Sequence, residues 1–200
     1  VSGNFGFGLA SPAGGVAVLD GLVGRTTLMA LDVRGNWSAV DEFVPAFRAL
    51  GNVVESCTGL QELAFGHRPT KSGTGNAQFA HVGLQCVFEA MSKAASIQNV
   101  IIDQAVLSGK SLGSMATVVA GLASLQRLEL VRTPLRGRGF EAILRALEDR
   151  AAARLPPIAT ASFRFCEVGD EDIVALSDSL MEDRIPGLRD LDLSFNLIRH

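Results

Sequence analysis

Apolar residues along this chain return in one phased pattern. In Leu125-Gln126-Arg127-Leu128-Glu129-Leu130 they fall at a starting position, three residues later and five residues later. The same spacing occurs at Leu28, Leu31, Val33, at Leu60, Leu63, Phe65, and at Ile97, Val100, Ile102. It recurs in weaker form at Ile158, Ala161, Phe163 and returns at Leu188, Leu191, Leu193. The last two positions of each set alternate as in a strand, and the first turns the chain into it. The starts lie 28 to 37 residues apart, which leaves room for a strand, a turn, a helix and a return.

A helical stripe follows each strand. Val40, Phe43, Val44 and Phe47 repeat at three and four, with Leu50 beyond. So do Leu84, Val87, Phe88 and Met91, then Met115, Val118, Val119 and Leu122, then Phe140, Ile143, Leu144 and Leu147. Ile173, Leu176 and Leu180 make a shorter stripe, and Val16, Leu19 and Leu22 precede the first strand. Each is a helix with one apolar face. Ser38 with Asp41 reads as an acidic capping box, and Ser111 as the cap of the helix that follows it. A single strand and helix cannot bury these faces, whereas stacked copies can. The expected fold is α/β: a right-handed solenoid of about six repeats over residues 1–200, with a concave parallel sheet and convex helices. The chain begins inside a repeat and neither end carries a polar cap, so it reads as an excerpt of a longer array. Asn4 would belong to that first partial repeat.

The stretch LQRLELVRTPLRGRGFEAILRAL, Leu125 to Leu147, and the stretch LRDLDLSFNLI from Leu188 resemble the leucine-rich repeat family. The likeness is to its long, helix-containing subclass typified by ribonuclease inhibitor. That family places Asn or Cys eight residues past each start, where the side chain satisfies backbone groups at the bend. Here the ladder positions hold Asn36, Arg68, Ala105, Thr133, Cys166 and Asn196. Asn36, Cys166 and Asn196 match, Thr133 is a polar substitute, and Arg68 and Ala105 depart. The polar run 68–75 reads as an inserted loop on one rim.

Composition narrows the function. The formal charge is -3, from 18 basic and 21 acidic residues, which argues against a dedicated nucleic-acid binder. No window is apolar and long enough for a spanning helix, so membrane insertion is not expected. Three cysteines, Cys57, Cys86 and Cys166, form no CxxC. With three scattered histidines they suggest no metal site, no cofactor, and a cytoplasmic or otherwise intracellular chain. Gly109-Lys110-Ser111 follows a strand and precedes a helix, but the upstream glycine that a phosphate loop needs is absent, since Gln104 and Ala105 stand there. Asn36-Trp37-Ser38 matches a glycosylation sequon, yet Asn36 is expected to face inward.

The remaining candidate is the concave face, formed by the residues two, four, six and seven past each start. From these columns His67, Arg127, Glu129, Arg132, Arg164, Phe165, Asp190, Asp192 and Phe195 are the expected partner contacts. Phe165 and Phe195 hold equivalent places in adjacent repeats. Strands about 5 Å apart would let their rings meet, either exposed as an anchor or tucked under a neighbouring loop. The mixed charges offer no basic stripe, and Asp190 with Asp192 lies on an open sheet where neither carboxylate is desolvated. The expectation is a non-enzymatic protein-interaction platform whose partner is a protein. The resemblance leaves two alternatives. One is activation of a small GTPase, with Arg136 and Arg138 as loop arginines to be considered. The other is an architectural place in a large assembly.

Overall fold

The computed structural model describes residues 11–37, 43–67, 77–107, 109–135 and 138–199. Helix and strand alternate: α1 Pro12–Asp20, β1 Ala30–Asp32, α2 Val44–Ser56, β2 Glu62–Gly66, α3 Ala77–Met91, β3 Asn99–Asp103, α4 Gly109–Gly121, β4 Arg127–Val131, α5 Arg138–Ala152, β5 Thr160–Arg164, α6 Asp170–Met181 and β6 Asp190–Asp192. The six strands form one sheet in sequence order, and every neighbouring pair is parallel. This is a repeat-like α/β solenoid.

The phased apolar positions set its register. Leu31, Leu63, Val100, Leu128, Ala161 and Leu191 pair in one continuous row across the sheet. The first five are buried, and Leu191, on the last strand, is 36% exposed. One carbonyl per return accepts two N–H groups from the next. Gln98 O takes Gln126 N and Arg127 N at 2.8 and 3.0 Å, and Gln126 O takes Ala159 N and Thr160 N at 2.9 and 3.2 Å. Behind the sheet, helix faces supply the other half of the core. Phe65 meets Phe88 edge-on with centroids 5.9 Å apart, and Phe140 meets Phe163 at 5.4 Å, an arrangement aromatic quadrupoles favour.

Helix starts differ from expectation. The Ser38–Asp41 box lies outside the described residues, as do Asn4 and Val40. Ser111 does not precede α4 but sits inside it, fully buried. At α1, Ser11 Oγ accepts from Gly14 N at 3.0 Å with Pro12 in the first turn, a cap that leaves proline where its missing N–H costs nothing. Leu180 was expected on the buried stripe of α6 but is exposed, and among the described elements no helix follows α6 to cover it.

Returns are stitched from one repeat to the next by side chains. Ser96 Oγ donates to Leu60 O at 2.8 Å, and Ser124 Oγ donates to Ile97 O at 2.7 Å. Each serine directly precedes a repeat start and bonds the previous start. Pro157 holds that place in the next repeat and has no hydroxyl. There Arg150 reaches over from α5 and donates to Leu125 O at 3.1 Å. Its other bonds go to Val119 O, Leu122 O, Ala123 O and Pro156 O, between 2.7 and 3.2 Å. A side chain only 1% exposed thus caps the end of α4, where orphan carbonyls and the helix dipole both favour a cation.

Cys166 is buried beneath the sheet, and its Sγ donates to Leu130 O at 3.2 Å. Burial pushes its thiol up to about 11, so the nucleophilic thiolate is scarce at neutral pH. Cys86 is half-buried on α3. Alkylation by iodoacetamide at pH 8, followed by mass spectrometry, should modify Cys86 well before Cys166. Equal rates for the two in the folded protein would contradict this placement.

Candidate interaction surface on the open sheet face

Strand pairing turns the sequence columns into rows of side chains. Asn99, Arg127, Thr160 and Asp190 sit side by side, and so do Ile101, Glu129, Ser162 and Asp192. The two rows form a shallow polar hollow on β4–β6, lined by Arg127, Glu129, Thr160, Ser162, Arg164 and Asp192 among others. Not every expected position reaches solvent. Ala64 and Ser162 are buried, because each is a small side chain flanked in its row by longer ones.

His67 is a correction. Expected to project from its strand end as a surface contact, it is only 3% exposed. Its ring meets Phe47 edge-on with centroids 5.4 Å apart, and Nδ1 lies 3.2 Å from Gln104 O. Gly66 causes the difference. Its φ is +151°, and an added Cβ would lie 1.7 Å from Asp103 O. The strand end is pressed against β3 there and the next side chain turns inward. In the other five repeats the equivalent residue, Gly35, Gln104, Arg132, Phe165 or Phe195, takes a left-handed conformation with φ between 49° and 69°.

Four arginines of the open face are paired with carboxylates. Arg34 pairs with Asp32, Arg127 with Glu129, Arg132 with Asp103 and Arg164 with Asp192. The Arg132 guanidinium is bidentate, at 3.0 and 2.5 Å, the geometry carboxylates bind best. Asp190 accepts a long bond from Thr160 Oγ1 at 3.4 Å. The hydroxyl and N–H of Ser194, with Arg164 behind them, hold the Asp192 carboxyl below the usual carboxylate range. That is the opposite of what a proton donor at neutral pH requires.

Phe165 and Phe195 meet in the open. They are 42% and 64% exposed, so neither is tucked under a loop. Their rings stack with centroids 4.3 Å apart and planes 2° from parallel. The Arg164 guanidinium carbon lies 5.7 Å from the Phe195 centroid, within cation–π range. Both residues have positive φ, a region that costs a non-glycine residue roughly 1–2 kcal/mol.

The ladder side chains turn beneath this rim. Asn36 Nδ2 donates to Val33 O at 2.9 Å. Thr133 Oγ1 donates to Val131 O at 3.1 Å and accepts Ala105 N–H at 3.3 Å. Asn196 Nδ2 donates to Phe163 O and Leu193 O, both at 2.7 Å, and its Oδ1 accepts the N–H of Cys166 at 2.9 Å. Ala105 is buried and contributes no such bond. Arg68 and the 68–75 loop lie outside the described residues.

Arg136 also falls outside them, while Arg138 opens α5 and is exposed. Lys110 is exposed in the first turn of α4. Among the described residues no three His, Cys, Asp or Glu side chains gather as a metal site, and no helix is long and apolar enough to cross a membrane. Sequence reasoning missed Arg150. The signal was its place three residues past Leu147, where the α5 stripe calls for an apolar side chain. No family model and no curated protein matches the chain.

Proposed function

We propose that this chain is a leucine-rich repeat array of the long-repeat type, with right-handed crossovers, and that it works as a protein-recognition platform without catalysis of its own. The ladder of Asn36, Thr133, Cys166 and Asn196 supports the repeat type, since each side chain bonds backbone at the same bend. The observation that carries the function is the exposed Phe165–Phe195 stack. Two bulky apolar residues are held at an unfavourable backbone conformation and left in water, where they contribute little to folding. Aromatic and arginine side chains are the usual energetic centres of protein interfaces, and here Arg164 lies against the stack. Arg132, Arg164, Arg127, Glu129, Asp190 and Asp192 form the polar rim.

The partner is a folded protein surface of mixed charge rather than a nucleic acid. A phosphate backbone is bound by several cations free to replace its counterions, and on this face Arg34, Arg127, Arg132 and Arg164 are already paired, leaving Arg189. An intracellular site of action fits the three free thiols.

The test uses the chain as bait with its stoichiometric partner identified by mass spectrometry. Affinity is then titrated for wild type, for Phe165→Ala with Phe195→Ala, and for Arg145→Glu on the helix side. The double variant should fold normally and bind at least tenfold more weakly, about 1.4 kcal/mol. Arg145→Glu should bind as wild type. A partner held equally well by the double variant would sink the reading.

A further inference from the structure

A second site lies at the opposite ends of the strands from the phenylalanine stack. The last turns of α5 and the two returns that follow α5 and α6 line a half-open cavity of 370 Å³. That is within the range of pockets that hold small molecules. Its walls are Leu147, Leu155, Pro157, Ile185 and Leu188, and no residue of α6 itself contributes. The cause is local. α5 has fifteen residues and α6 twelve, and the returns 153–158 and 182–188 are longer than the return 122–125. Pro157 packs against Gly187, where an added Cβ would fall 2.6 Å from the proline ring.

Among the described residues, the only titratable ones in the lining are Arg150 and Arg154. Arg150 is a buried cation facing backbone carbonyls, with no carboxylate partner. Arg154 is exposed, stands at the cavity's edge just past the end of α5, and makes no ion pair among the described residues. An apolar chamber with two cations and no acid in its wall is complementary to an apolar molecule carrying one negative charge.

We propose that this cavity binds a medium-chain aliphatic carboxylate, with its tail between α5 and the two returns and its head on Arg154. Arg150 provides no direct contact, because all five of its N–H groups are taken by backbone. It contributes positive potential from within the wall. The proposal is independent of the recognition surface described above.

Calorimetric titration of the whole chain with octanoate, decanoate, decanol and decyltrimethylammonium tests it. Decanoate should bind saturably at one site, tighter than octanoate by about fourfold per methylene. Decanol should bind more weakly, and decyltrimethylammonium at least tenfold more weakly. Ala151→Phe, which fills the cavity from α5, should lower decanoate affinity at least tenfold. Arg154→Glu, a change at an exposed position, should reverse the preference toward the ammonium head even if the filled variant fails to fold. The proposal is overturned by no saturable decanoate binding, by equal affinity for both head groups, by undiminished binding to folded Ala151→Phe, or by an unchanged preference in Arg154→Glu.

Discussion

Arg150→Met is expected to destabilise the protein by about 3–5 kcal/mol, because several buried carbonyls lose a charged donor at once. The side chain donates to five carbonyls on three pieces of chain: the end of α4, the return after it, and Pro156. Methionine fills similar volume and leaves those acceptors buried and unsatisfied, each at a cost of about 1–3 kcal/mol where water cannot replace the donor. Lysine keeps the charge but offers three donors from a single atom and cannot span the same acceptors. Arg150→Lys should therefore still lose at least about 2 kcal/mol. Urea denaturation measures both losses, and hydrogen exchange should locate the weakening at residues 119–125. A loss under about 1 kcal/mol for Arg150→Met would show that the carbonyls find other partners.

Gly66→Ala is the second large effect. At φ +151° an added methyl would lie 1.7 Å from Asp103 O and 2.7 Å from its carbonyl carbon. Neither is a flexible side chain that can swing away. Relief requires the end of β2 to separate from β3, breaking the Gly66–Asp103 register and the bond from His67 N to Asp103 O at 3.1 Å. The expected cost is about 3 kcal/mol or more, since backbone strain and collision add. Gly113→Ala makes the matched control. That position is helical and an added Cβ meets nothing within 4 Å, so the change should stabilise by up to about 1 kcal/mol. Thermal melts of the two variants should move in opposite directions. If Gly66→Ala melts with wild type, the close approach of β2 to β3 is wrong.

Both predictions concern residues whose importance their own sequence neighbourhoods barely announce. Gly66 is one of 21 glycines, and its role comes from Asp103 on the next strand. Arg150 interrupts an apolar stripe, which marks it as unusual, but its acceptors lie 25 to 31 residues away in all but one case. His67 was misread for the same reason. Its position seven past a repeat start is exposed at Arg132, Phe165 and Phe195, and the glycine before His67 turns the chain differently. Phe165 and Phe195 were legible as neighbours because register follows from phase. Their exposure was not, because nothing local says whether a flanking loop covers a rim.

The chain by itself determined the repeat, the strand and helix identities, and which columns of residues stand side by side. These follow from side-chain alternation in strands and the three-and-four return of helices, which are properties of short segments. Only the tertiary structure decided what covers what: the burial of His67 and Arg150, the open stack of Phe165 on Phe195, and the cavity beneath α5. Burial is a relation between one coil and the next, and it depends on return lengths and backbone angles that a hydrophobic pattern does not encode.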